Sequence, residues 1–116
     1  MSTASQFPFQ PLGPTHLVIG NVALPTPVQI NVQKTTTGVG QYRIINNSIL
    51  MVFLGVGSTA AQATANAAAP TVGNPNRTIP LVPGAVEVLR FVNNAFVTAL
   101  SPSGAADIYI TPGQGL

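Results

Sequence analysis

Seven side chains in this chain are an imidazole, a carboxylate or a full cation: His16, Glu87, Asp107, Lys34, Arg43, Arg77 and Arg90. His16 is the sole imidazole and cysteine is absent, so neither a His/Cys metal set nor a thiolate nucleophile can be assembled. It stands before Leu17-Val18-Ile19 at a strand start, where a satisfied structural histidine is expected. Glu87 and Asp107 are the only carboxylates. Paired across a cleft they would suit glycosidic cleavage, but with four cations in the chain, ion pairs to Arg90 or Arg43 are the expected use. Gly55-Val56-Gly57-Ser58-Thr59-Ala60 has the spacing of a dinucleotide fingerprint, in which a helix N-terminus receives a pyrophosphate. That chemistry needs a ribose-binding acid about 20 residues on and alternating strands and helices. This sequence supplies neither, and a glycine-rich strand exit is expected instead. The reading is therefore non-enzymatic, with no catalytic residue, no cofactor and no metal ligand.

Arg77 is the most informative single charge. It sits in the polar loop Asn74-Pro75-Asn76-Arg77-Thr78, where its planar fork has two uses: reaching a partner's carboxylate or backbone, or remaining solvated. The triplets Asn46-Asn47-Ser48 and Asn76-Arg77-Thr78 fit the glycosylation acceptor pattern, which has no meaning without secretion.

Six full charges in 116 residues is about a fifth of the usual density. A folded chain of 11.9 kDa exposes roughly 5,900 Å², or about one charge per 1,000 Å². Such a surface resists association poorly, which points to a structural protein that works by docking onto a larger assembly. The net charge of +2 rests on four scattered cations and makes no phosphate-binding stripe, so nucleic acid is not an expected partner. Residues 1–13 show no basic n-region or apolar h-region. Ile49 to Val56, the longest strongly apolar stretch, is too short to span a bilayer as a helix. Synthesis in a cytoplasm, without membrane attachment, is expected.

Eleven prolines and eleven glycines cut the chain into short pieces rich in Val, Ile, Thr, Phe and Tyr. Residues 1–14 carry Pro8, Pro11 and Pro14 around Phe7 and Phe9, which reads either as a loose terminus or as an extended arm anchoring its phenylalanines on a neighbouring subunit. Residues 15–116 read as one β domain. Strands are expected at His16 to Asn21, Val28 to Gln33, Gln41 to Ile45, Ile49 to Leu54, Thr78 to Val82, Ala85 to Val92, Ala95 to Leu100 and Ala106 to Thr111. Val86, Val88 and Arg90 share one face of their strand, and Glu87, Leu89 and Phe91 the other, so neither face is cleanly polar. Ser58 to Ala69, with Ser58 or Thr59 as cap, reads as a short helix or an Ala-rich loop. Arg43-Ile44-Ile45-Asn46-Asn47-Ser48-Ile49 echoes Arg90-Phe91-Val92-Asn93-Asn94-Ala95-Phe96, which suggests two hairpins with Asn pairs at their tips. The fold class expected is all-β: an antiparallel β-sandwich or jelly roll of about eight strands.

Gln41 to Asn47, Phe53-Leu54-Gly55, the Ala-rich segment, Ile79-Pro80-Leu81-Val82-Pro83-Gly84, Glu87-Val88-Leu89 and Ile108 to Gly113 together make the chain resemble the small virion proteins of tailed bacteriophages, especially capsid decoration or cement proteins. The likeness spans about two thirds of the chain and is one of style, not of a diagnostic motif. It implies a β-rich homo-oligomer, a trimer in preference, located in the virion. There it would bind the major capsid protein or another virion protein and clamp neighbouring subunits. The candidate assembly contacts are Phe7, Phe9, Arg77 and the Ala-rich segment. The alternative is a tail-associated or glycan-binding β module.

Overall fold

A computed structural model of the chain describes residues 9–30 and 39–114. Among the described residues, nine strands follow one another as β1 (Gln10–Pro11), β2 (His16–Gly20), β3 (Val28–Gln29), β4 (Val39–Asn46), β5 (Val52–Gly57), β6 (Ile79–Leu81), β7 (Val86–Val92), β8 (Phe96–Leu100) and β9 (Ala106–Gln114). A single helix, α1 (Ala60–Asn66), lies between β5 and β6. One antiparallel sheet runs β2-β9-β4-β7, with β1 continuing the β2 side along the end of β9; the second runs β3-β8-β5-β6. Of the connections from β2 onward, only β5 to β6 returns to its own sheet, and it does so through α1. This alternation between two four-stranded sheets is the strand order of a jelly roll.

Period-two alternation decides which residues meet in the middle. Tyr42, Ile44 and Asn46 of β4 and Ile108 and Ile110 of β9 point inward from the first sheet. Val52 and Leu54 of β5, Leu81 of β6 and Val97 and Ala99 of β8 meet them from the second, and all except Asn46 belong to one apolar cluster. Tyr42 brings a hydroxyl into this layer and satisfies it, donating to the Val92 carbonyl at 2.6 Å and accepting from the Ala95 amide at 3.4 Å.

The second sheet has a third layer on its outer side. Gly55 and Gly57 face outward from β5, and a Cβ on either would run into the backbone of α1. The missing side chains let the helix rest directly on the strand. This, and not a phosphate cradle, is the use of the Gly55-Val56-Gly57 spacing. Thr59 caps α1 by accepting from the Gln62 amide at 3.2 Å, and Gln62 Oε1 accepts from the Ser58 amide and hydroxyl at 3.0 and 2.8 Å. The reciprocal capping settles the Ala-rich segment as a helix, shorter than Ser58 to Ala69.

Three local expectations are corrected. The Asn pairs do not tip hairpins: Asn46-Asn47 ends β4 where the chain crosses to β5 of the other sheet, and Asn93-Asn94 joins β7 to β8 in the same way. The echoed motif marks two sheet-to-sheet crossings, and at the second Asn94 takes φ +57°, which asparagine tolerates. The apolar run Ile49 to Leu54 is not one strand; β5 begins at Val52, because Ser48 Oγ donates to Asn46 Oδ1 at 2.6 Å and accepts from the Leu50 amide at 3.2 Å, spending residues 48–50 on the crossing. Of the alternation at Val28 to Gln33, the described part is strand at Val28–Gln29 and ends before fully buried Ile30; Asn31 to Gln33 lie outside the described residues.

Candidate docking surfaces

The expected chemical groups do not converge. His16 opens β2 and donates Nδ1–H to the Pro14 carbonyl at 3.1 Å, a local structural bond. Asp107 faces outward from β9, level with Ile19 of β2, whereas Glu87 lies opposite inward-facing Ile44 and so belongs to the other face of the same sheet. The two carboxylates cannot flank one substrate. The expected ion pairs also do not form: among the described residues no bridge joins Glu87 or Asp107 to Arg43 or Arg90. Strand geometry explains it. Glu87 and Arg90, three apart on β7, point to opposite faces, and Asp107 is four residues along β9 from Thr111, the partner of Arg43. Among the described residues no three His, Asp or Glu side chains gather as metal ligands, and no helix is long and apolar enough to cross a membrane.

Of the assembly candidates, Phe7 lies outside the described residues. Phe9 packs on its own chain, against Gly113, where a Cβ would collide with its ring; Arg43's guanidinium stands 5.3 Å from the ring centroid. Described residues 9–12 of the arm are thus tied to β9, with Leu12 N–H donating to the Pro112 carbonyl at 2.9 Å. Arg77 is exposed in a loop held by Asn76, whose side chain donates to the Ala68 carbonyl and accepts from the Thr78 amide, both at 2.9 Å. The loop therefore presents Arg77 beside the end of α1, and no described residue pairs with it.

Two apolar surfaces stand out that the motif reading did not isolate. The first is the outer face of the β2-β9-β4-β7 sheet. Register places Leu17, Tyr109, Ile45 and Val86 in one row across all four strands, with Val88 and Arg43 in the next row. Leu17 is 48% and Val86 61% exposed, while Ile45 and Tyr109 are half-buried. The other sheet is roofed by α1; here Phe9 covers the corner at Gly113 and Thr15 lies against Thr111. The sequence did carry the signal, since β7 has no cleanly polar face.

The second surface is the end of the sandwich where β4 crosses to β5. Ile49 is 89% and Val82 58% exposed, and Met51, one residue beyond the Val52–Leu81 pair, lies next to Val82. These side chains sit on a stiff base. Fully buried Asn46 donates its amide to the carbonyls of Leu50, Leu81 and Val82 at 2.9, 3.2 and 3.1 Å, tying both loops together. A run of apolar residues expected to form one strand is what concealed this surface.

Comparison of the chain with protein-family models, curated proteins and solved structures found no match.

Proposed function

We propose that this chain is a non-enzymatic structural protein of a phage virion, which binds the outside of an assembled capsid and stabilises it as a decoration or cement protein. The observation carrying the reading is the rigid apolar end formed by Ile49, Met51 and Val82, held by the Asn46 amide, in a chain with six full charges. Exposed apolar groups on an ordered base lose little entropy on docking, which is what a passive clamp requires. The partner is the major capsid protein or another virion protein, and the Arg77 loop beside α1 is a second contact of the same kind. A protein that binds the assembled lattice better than free subunits stabilises the lattice by mass action, and repetition over many equivalent sites strengthens retention. The glycan-binding alternative is weakened because fully buried Tyr42 is unavailable as a platform, leaving Tyr109 as the remaining tyrosine.

The test is co-sedimentation of the purified chain with tailed-phage particles, followed by electron microscopy of the pelleted particles. Regular added density on the capsid supports the reading. A folded chain that stays in the supernatant with every particle, or that binds only tails or glycans, overturns it.

A further inference from the structure

We infer that the outer face of the β2-β9-β4-β7 sheet is the interface of a two-fold dimer, its occupant being the same face of a second copy of this chain. The inference stands apart from the capsid reading, which uses the opposite kind of surface, a loop end.

The outward-facing charges of this sheet, among the described residues, are Arg43 near its centre, Arg90 on β7 and Asp107 on β9. Arg90 is level with Gln41 and Gly113, and Gly113 is six residues along β9 from Asp107. Arg90 and Asp107 are therefore about 20 Å apart along the strands and about 10 Å apart across them. Their midpoint falls on β4 between Arg43 and Ile45, the middle of the apolar rows. A two-fold axis lying in the interface over that point, roughly across the strands, sets Asp107 of each copy beside Arg90 of the other. Asp107 and Arg90 at opposite corners are complementary across that axis, as an isologous contact demands, while Arg43, near the axis, holds its guanidinium over the Phe9 ring on the Gly113 side, away from its counterpart.

Area and polarity agree. The face is four strands wide only in the Leu17-Tyr109-Ile45-Val86 row, narrows to β4 and β7 at Val92, and is covered by Phe9 at Gly113. At about 4.8 Å between strands the free footprint is roughly 400 Å² on each copy and about 800 Å² in total, the size of a weak, transient pair. A dimer with a dissociation constant in the micromolar range is expected. The hydroxyls that would otherwise be stranded there are satisfied internally, since Thr15 and Thr111 hydrogen-bond to each other at 2.7 Å. The pairing is two-fold, where the resemblance implies a trimer.

Sedimentation equilibrium of the full chain, from about micromolar to about millimolar concentration, tests this. Wild type is expected to convert from monomer to dimer. Asp107→Arg and Arg90→Asp are each expected to weaken the dimer about tenfold, because the axis repeats every change. The double variant is expected to recover it. Leu17→Asp, on a 48% exposed residue, is expected to abolish it with the circular dichroism spectrum unchanged. Glu87→Arg, on the other face, is expected to do nothing. A chain that stays monomeric throughout, a trimer, a dimer unmoved by the single charge reversals, or one disrupted by Glu87→Arg (pairing along the β7 edge) each overturns the inference. Failure of the double variant to recover the dimer does the same.

Discussion

Gly55 lies directly beneath Ala67: a Cβ on this glycine would stand 2.5 Å from the Ala67 amide nitrogen and closer still to the Ala63 carbonyl. Both are backbone atoms of the helix and its cap, so no side-chain rotation relieves the overlap. Gly55→Ala is expected to lift α1 from β5 and cost about 3 kcal/mol, at the upper end of overpacking penalties. Thermal melting and the helical component of the circular dichroism spectrum check it. A variant as stable as wild type would show that the helix is not seated on the strand.

Asn46 and Asn47 look equivalent in the chain and are opposites in the fold. Asn46 is buried with its amide shared among three carbonyls, whereas Asn47 is exposed and contributes its backbone amide to the Asp107 carbonyl at 2.9 Å. Asn46→Ala strands buried acceptors and is expected to cost about 3 kcal/mol. Asn47→Ala keeps its backbone bond and should stay within about 0.5 kcal/mol of wild type. Urea midpoints, with unchanged slopes, provide the comparison.

How far the sequence revealed this arrangement depends on what each signal measures. Alternation at Gln41 to Ile45 and Ala106 to Thr111 reports one wet and one dry face, and the strands there are longer than the expected spans, β9 reaching Gln114. The Asn pairs report that the chain turns, because asparagine tolerates unusual backbone angles, but they do not report which sheet it turns towards. That is a long-range matter, set by where β7 and β8 find partners. Gly55 and Gly57 were legible as special and not as helix seats, since the contact they permit is with residues 62–67 after the chain has folded back. The apolar end was hidden because hydrophobicity at Ile49 and Met51 is ordinarily a sign of burial, whereas the hydrogen-bonded crossing around Ser48 and Asn46 leaves these residues exposed.

Tyr42 makes stability depend on alkaline pH. Burial raises its phenol above the ordinary value, an effect opposed by hydrogen bonds from the backbone at Ala95 and Asn94. The fold therefore holds the neutral form. Below the unfolded value of about 10, both states are protonated and the contribution is full. Above it the unfolded chain ionises first, so stability falls as pH rises towards the raised folded value. Tyr42→Phe loses the 2.6 Å bond to Val92 and is expected to be about 1 kcal/mol less stable at neutral pH. Its deficit should shrink as pH passes about 10. Urea midpoints of both proteins against pH would show the narrowing gap; a constant gap would mean the hydroxyl does not ionise differently in the two states.

Ile49 separates docking from folding. At 89% exposure it gives the core almost nothing, so Ile49→Asp should leave the melting curve within about 0.5 kcal/mol of wild type. If the end of the sandwich meets a capsid, the same change places an unpaired charge in a desolvated contact, and particle affinity should fall about 30-fold, the loss typical of a central anchor. Val72 is the control: it is as exposed as a side chain can be, in the turn where Thr71 and Asn74 pair, away from the Asn46 hub. Val72→Asp should change neither folding nor occupancy, and quantitative gel analysis of sedimented particles measures both variants together. Equal occupancy for Ile49→Asp and wild type would take this end of the molecule out of the contact.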